Sequence, residues 1–424
     1  MKTLLKNATV FCSDGTVKAA DIAVEGSIIK KIGDIPADFQ ADTVVDATDK
    51  LAVPGFVNAH THASMTLLRS YADDMNLMDW LNNKIWPIED KMNRNDIYWG
   101  AMLAAVEMIK TGTTTFADMY GQMDKVAEAT TEAGLRGVLC QGIIAVAPNC
   151  EQKFEDNKAL FRDYNNTADG RITVMFGPHA PYTCPPDFLR RVVETAKEYG
   201  AEIHIHLSET KGEVENCLKD YGKTPIEIME ETGILECGCL GAHCVHLTDK
   251  DIELMAKYKV RVAHIPGSNM KLASGIAPVP KLLKAGICTA LGTDGASSNN
   301  NLDMLEEIRL AALLHKVNTL DPLAVPALEA LKMGTEYGAK ALSLEKVGKL
   351  EEGWKADIVL WNMNDTEWIP RHDLVSLLVY SASSKSVDTV MVDGKLVMKN
   401  KELLTLDEEK IAFEVNRCVN RLTA

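Results

Sequence analysis

The stretch GFVNAHTH (residues 55–62) starts as an apolar, β-forming run and ends on two histidines spaced i, i+2. Seven more runs of this kind follow: GTTTFADMY (112–120), LRGVLCQGII (135–144), TVMFGPHAP (173–181), EIHIHLSE (202–209), LGAHCVHL (240–247), VRVAHIPGS (260–268) and CTALGTD (288–294). Segments of helical spacing separate them, for instance Asp96–Lys110, where Ile97, Met102, Leu103, Val106 and Ile109 form one stripe. Eight strand–helix repeats predict a (β/α)8 TIM-type barrel of parallel strands over residues 55–345. An open doubly wound sheet is the alternative, weakened because neither G-x-G-x-x-G nor G-x-x-x-x-G-K-[ST] occurs.

Outside this region the period changes. Residues 1 to about 53 and about 347 to 400 alternate apolar and polar residues and turn at Asp-Gly or Glu-Gly pairs, as antiparallel hairpins do. Neither piece carries enough apolar face to stand alone. Residues 1–54 and 346–424 are therefore expected to join as one small β-sandwich domain, which protects the edges of both. The tail from Leu406 to Leu422 reads as a helix with Ile411, Val415, Cys418 and Leu422 on one side.

Charge and composition narrow the partners. With 45 Lys plus Arg against 60 Asp plus Glu, a net −15, the chain lacks the basic surface that nucleic acid or an anionic membrane attracts. No apolar run approaches the ~18 residues of a membrane span, and Lys6, Asn7 and Thr9 interrupt the hydrophobic stretches of the N-terminus. Ten scattered cysteines suit a reducing compartment, so a cytoplasmic protein is expected. The cluster Cys237, Cys239 and Cys244 beside His243 lacks the second Cys-x-x-Cys pair of a structural zinc site and reads as strand core. A homo-oligomer is compatible with the sequence, which does not fix its order.

The histidines carry the chemistry. Ten of them placed at random would give about a quarter of one His-x-His pair, yet the chain has two, His60-Thr-His62 and His204-Ile-His206. On a strand, residues i and i+2 share a face, and both pairs end predicted strands, where barrel enzymes carry their sites. His60, His62 and His206, the one nearer its strand end, are the expected ligands of a divalent metal, with Asp294 from LGTDGASSNN supplying a carboxylate. His204 is left to packing or to supporting a ligand. Glu209, three residues beyond His206, is placed to carry protons, and His243, ending the sixth run, to act as electrophile or proton partner. His246 reads as a surface or loop residue, His264 as equally compatible with site and core, and His315 and His372 as solvated.

PGFVNAHTH, GTTTFADMY, HIHLSE, AHCVHL, SNMKLASGIAPV and LGTDGASSNN together resemble the amidohydrolase superfamily in its cytosine-deaminase and chlorohydrolase branch. Within that branch the whole chain is most similar to the 5′-methylthioadenosine/S-adenosylhomocysteine deaminase family. The resemblance implies one divalent metal per chain, usually zinc, on His60, His62, His206 and Asp294. It implies Glu209 as proton shuttle to the ring nitrogen, His243 as partner of the attacking water and Asp294 as base. Glu89, in IWPIE, matches the family carboxylate that holds ribose hydroxyls; read by itself it is a solvated helix residue. His179, in GPHAP, matches a substrate-contacting histidine, and no lysine there offers a bridge for a second metal. The implied reaction is hydrolytic deamination of an adenine nucleoside (5′-methylthioadenosine, S-adenosylhomocysteine, 5′-deoxyadenosine or adenosine) to the inosine analogue and ammonia.

Guanine, triazine or N-formimino hydrolysis remains open on the same metal constellation, and a non-catalytic barrel is disfavoured by the complete residue set. The chain departs from the family where arginines are expected to clamp an amino-acid carboxylate: Gln141 and Lys153 stand there. Lys153 itself, or an arginine such as Arg136 or Arg162, is the alternative source of that clamp. Ile265, in HIPGSN, stands where relatives often carry a polar residue.

Overall fold

The computed structural model describes residues 1–424. All eight runs form strands, and all are parallel. The first four, Phe56–Thr61, Thr113–Tyr120, Arg136–Ile143 and the paired pieces Ile172–Val174 and Gly177–Pro178, make one sheet. The last four, Ile203–Leu207, Cys239–His243, Arg261–His264 and Thr289–Leu291, make a second in sequence order. The fourth strand is split where one was expected. Pro178 has no N–H to give to a ladder, and a Cβ on Gly177 would lie 2.7 Å from the Gln141 carbonyl, so the chain runs hard against the third strand here.

The two sheets meet along both seams. On one, Phe176 bridges Ile203 and the His206 N–H donates to the His179 carbonyl at 3.0 Å. On the other, the Asp294 N–H donates to the His60 carbonyl at 3.0 Å, and Asn58 pairs with Thr293 through Oδ1 to N–H (3.1 Å) and Nδ2 to Oγ1 (2.7 Å). A Cβ on Gly292 would sit 2.8 Å from His60 backbone atoms, so only glycine lets the eighth strand pass the first this closely. This is TIM-barrel-type architecture, with helices such as Arg94–Lys110, Pro186–Tyr199 and Met304–Thr319 between the strands.

The chain ends pair as their alternation predicts, in one nine-stranded sheet. Its joint is Lys50–Pro54 antiparallel to Ile358–Asn362, with Val53 opposite Val359. Leu5, Val10, Ile22, Val24, Ile29 and Ile358 bury a core separate from that of the barrel. The C-terminal piece is less regular than expected. Between strands Ile358–Asn362 and Val387–Val392 the chain makes helical turns, and Val375, Leu378 and Val379, at helical spacing, pack into the barrel's main core with Trp368. Helix Glu408–Thr423 buries the anticipated Ile411, Val415, Cys418 and Leu422. It lies against barrel helix Arg94–Lys110, where Lys110 pairs with Glu408 at 2.8 Å and Arg421 with Asp96. No helix is long and apolar enough to cross a membrane.

One buried ionic cluster joins the two cores. Arg136, at the start of the third strand, pairs with Asp357 and Asp393 at 3.2 Å each, all three nearly inaccessible. Removing the arginine strands the Asp357 carboxylate and leaves Asp393 with Lys355 alone (3.0 Å), at a cost of about 3–5 kcal/mol. Arg136→Ala is therefore expected to lower the urea-unfolding midpoint by the equivalent of that amount. A midpoint within error of the parent protein would show that the cluster contributes nothing to joining the domains.

Candidate active site

Three histidine rings are fixed from behind by their Nδ1 atoms. His62 Nδ1 donates to the Met119 carbonyl at 2.5 Å and His206 Nδ1 to the His179 carbonyl at 2.7 Å. His60 Nδ1 lies 2.9 Å from His204 Nε2, which gives His204 the supporting part expected of it. Nδ1 contacts of this kind set ring orientation and tautomer and leave Nε2 as the bare lone pair a metal requires.

The donor set fits a divalent cation. His60, His62 and His206 form one group, and His60, His243 and Asp294 another, whose nitrogen and oxygen atoms lie within 4.8 Å of one another. His60 Nε2 is fully buried and has no hydrogen-bond partner, a costly state for an imidazole nitrogen unless something binds it. Burial holds the His60 imidazole down at about 4, hence neutral, as a ligand must be. Asp294 Oδ1 stands 3.5 Å from His60 Nε2 and 3.2 Å from His62 Nε2. The cysteines 237, 239 and 244 are buried and belong to neither group.

Asp294 is held in an unusual backbone state. Its φ is +62°, left-handed for a residue other than glycine. Hydroxyls of Thr61 (2.8 Å) and Thr293 (3.0 Å) donate to its carbonyl, and those of Ser268 (2.7 Å) and Ser298 (2.9 Å) to Oδ2. Burial by itself would raise this carboxyl; His60 and His62 hold it well below the usual carboxylate range. His243 is also left-handed, with φ +70°. Its Nδ1 lies 2.9 Å from Asn269 Oδ1, so Nδ1 donates and Nε2 is turned towards Glu209, 3.9 Å from Oε2. Two strained residues facing each other in one cleft mark the place where the fold holds geometry against local preference.

Glu209 is only 4% exposed. Burial pushes its carboxyl up, against the opposing pull of His243, which suits a group that must hold and release a proton near neutrality. The Ser208 and Glu209 N–H groups both donate to the Glu213 carboxylate at 2.8 Å, fixing the turn from strand to helix Lys211–Tyr221.

These residues floor a cavity of about 820 Å3, within the range of small-molecule sites. Glu89, Tyr120, Gln141, Lys153 and His179 line its walls with Trp80 and Trp86. Glu89 is half-buried rather than a solvated helix residue, and its Oε1 accepts the Tyr120 hydroxyl at 2.5 Å. His179 faces the Thr183 hydroxyl through Nδ1 (2.9 Å), with its ring 4.8 Å from that of His206. Of the proposed sources of a carboxylate clamp only Lys153 reaches the cavity. Arg136 is consumed in the buried cluster beneath the barrel, and Arg162 lies on the surface beside Tyr199.

One expectation for the remaining histidines needs correction. His315 is fully buried rather than solvated: it sits on the inner side of helix Met304–Thr319, its Nε2 3.2 Å from that of His264. His264 thereby belongs to the core behind the site and does not line the cavity. His246 is a half-buried loop residue whose Nε2 donates to the Ser274 carbonyl at 2.6 Å. His372 is exposed. Ile265 is buried at the start of helix Pro266–Lys271, and nothing in its surroundings explains the apolar choice. Sequence reasoning assigned no part to Tyr120, Ser268, Asn269, Ser274 or Ser298. Their signal was position, a hydroxyl or amide at a strand end or in the loop after it, within motifs already singled out.

Comparison with known proteins agrees with this geometry. The family model described as "Amidohydrolase family" matches residues 51–397. A 5-methylthioadenosine/S-adenosylhomocysteine deaminase of Pelotomaculum thermopropionicum is 52% identical over 99% of this chain and 98% of its own length. The solved structure of an adenosine deaminase from Xanthomonas campestris with bound zinc is 32% identical, with a TM-score of 0.95 over 99% of this chain and 98% of that one. A zinc complex of atrazine chlorohydrolase from Arthrobacter aurescens TC1, at 24% identity, shares the fold, with a TM-score of 0.91 over 98% of this chain and all of that one. With the family model spanning most of its length and such relatives covering nearly all of it, the chain belongs to the amidohydrolase family.

Proposed function

We propose that this protein is a zinc-dependent aminohydrolase that deaminates adenine nucleosides bearing a small 5′ group, 5′-methylthioadenosine foremost, to the inosine analogue and ammonia. The observation that carries the reading is that one cavity is lined by His62, His206, Asp294, the buried acid Glu209 and the half-buried Glu89, with the buried His60 completing the metal-capable set beside them. The names of the relatives support the same substrate class. The fold that serves it is a closed (β/α)8 barrel, residues 55–345, bearing a β-sandwich domain from residues 1–54 and 346–424. The ten unpaired cysteines fit a cytoplasmic enzyme.

One zinc ion on His60, His62, His206 and Asp294 supplies Lewis acidity that makes a water nucleophilic near neutral pH. The chain does the rest. Asp294, with Oδ2 occupied by Ser268 and Ser298, keeps Oδ1 to take the water's proton. His243, oriented by Asn269, offers Nε2 as hydrogen-bond partner of that water. Glu209 gives its proton to N1 of the purine as the oxygen adds to C6. Asp294 then returns a proton to the amino nitrogen, the C6–N bond breaks and ammonia leaves, while the C6 hydroxyl gives its proton back to Glu209 as the carbonyl forms. Glu89, braced by Tyr120, accepts the ribose hydroxyls, and His179 contacts the substrate. A carboxylate braced for hydroxyl donors favours a nucleoside over bare guanine or a triazine, neither of which has a ribose for it to hold.

Chelation to below one metal per hundred chains should abolish ammonia release, with recovery on one equivalent of zinc. Full activity in metal-free protein, or two metals per active chain by elemental analysis, would refute the mononuclear site. Glu209→Gln should lower kcat by at least ~10²–10⁴-fold, the usual contribution of a general acid–base group, with metal content unchanged; a loss under about tenfold would move the proton role elsewhere. Substrate choice follows from the missing arginines. Lys153 is a single point charge and Gln141 is neutral, so neither makes the two-pronged contact of a guanidinium with a carboxylate. In a mixed reaction 5′-methylthioadenosine should be consumed ahead of S-adenosylhomocysteine, and the reverse order would mean that Lys153 alone suffices.

A further inference from the structure

Three side chains handle protons in the proposed reaction, and one loop touches all of them. The chain from Ser268 to Gly275, following the seventh strand, places the Ser268 hydroxyl on Asp294 (2.7 Å), the Asn269 amide oxygen on His243 (2.9 Å) and the Ser274 hydroxyl on Glu209 Oε1 (3.3 Å). Asp294 has a second hydroxyl, that of Ser298, on the same oxygen. The Glu209 carboxylate accepts a hydrogen bond from no other group in this chain than Ser274, and it is nearly inaccessible to water. A buried carboxylate with one donor has its rotamer set by that donor.

Ser274 is itself locked. It is 5% exposed and does not line the cavity, so it does not meet substrate directly. Its N–H donates to the Asn269 carbonyl at 2.9 Å, and its carbonyl accepts from His246 Nε2 at 2.6 Å. The His246 N–H in turn donates to the carbonyl of Ser208, the residue before Glu209, at 2.9 Å. The next residue, Gly275, has φ +127°, and a Cβ there would lie 2.9 Å from Val245 Cγ1 and 3.3 Å from the His246 ring. Glycine is thus needed for the loop to press this closely on the end of the sixth strand. The residue before Glu209 and the Glu209 side chain are thus both tied to this loop, through His246 and Ser274 respectively.

We infer that Ser274 is the positioning residue for Glu209, its hydroxyl holding the carboxylate at the angle from which the proton reaches the purine ring, with His246 as the buttress that keeps Ser274 in place. The inference rests on Glu209 being the proton-carrying group. A hydrogen bond that orients a catalytic group from behind is typically worth about 10–100-fold. It acts on kcat rather than KM when the ground-state complex does not depend on it.

The test is a double-mutant cycle on the zinc-loaded enzyme, read by ammonia release from 5′-methylthioadenosine, with metal content and melting temperature checked for each variant. Ser274→Ala should lower kcat by about 10–100-fold with KM changed by less than about threefold. In the Glu209→Gln background the same substitution should cost less than about twofold, since no proton remains to be aimed. A Ser274→Ala enzyme within about twofold of the parent, a loss confined to KM, or an equal loss in both backgrounds would overturn the proposal. A fall of less than about tenfold for Glu209→Gln alone would instead remove the proton role of Glu209, and the positioning role with it.

Discussion

The site depends on the close passage of the eighth strand past the first. Asp294 can stand beside His60 and His62 because its own N–H is given to the His60 carbonyl and because Gly292, two residues earlier, has no side chain to hold the strands apart. The Asn58–Thr293 pair repeats the link one layer below. Without that seam the two histidines of the first strand would face an open edge, and the carboxylate would lie with the other sheet. The left-handed φ of Asp294 is a consequence: the chain must turn sharply just where its side chain is needed, and two threonine hydroxyls on the carbonyl offset the cost.

Behind that seam lies a second layer of buried polar groups. Glu307, fully inaccessible on helix Met304–Thr319, accepts from the Gly267 N–H (3.0 Å) and from Asn299 Nδ2 (2.8 Å). Burial pushes its carboxyl up to about 8. A Cβ on Gly267 would fall 2.3 Å from Glu307 Oε1, so helix and loop are fitted to each other. The His264–His315 contact ties the same helix to the seventh strand further along. Such groups are expensive to bury, and their pairing fixes the loops that carry Ser268, Asn269 and Ser298 in one arrangement. The loops at the rear of the cleft are therefore held in part from the helix layer, by residues that do not line the cavity.

The two chain ends serve the barrel from the opposite side. Arg136 begins the strand Arg136–Ile143, which carries Gln141 near its other end, and its pairing with Asp357 and Asp393 fastens the base of that strand to the sheet made by the chain ends. The C-terminal helix braces Arg94–Lys110, which follows the segment bearing Glu89. Both contacts hold elements that also line the cavity, the strand through Gln141 and the helix through Ile97.

Strand count, order and the parallel repeat were legible in the sequence because local composition encodes them: β-branched runs with turn residues at their ends, helical stripes between. The metal-capable histidines were legible for the same reason, since i, i+2 spacing on a strand fixes a shared face whatever lies around it. Asp294 and Glu209 followed from their distance to strand ends. Glu89 did not, because a carboxylate on a short helix looks solvated until Tyr120, distant in sequence, is seen beside it. His315 was misjudged on the same ground: its burial comes from His264 on another element, and no local pattern in LLHKVN reports that. Tertiary structure alone decided which hydroxyls and amides meet the catalytic groups, where Arg136 spends its charge and how close the first and eighth strands come. Those outcomes depend on packing between segments far apart in the chain, whereas periodicity reports only what each segment does by itself.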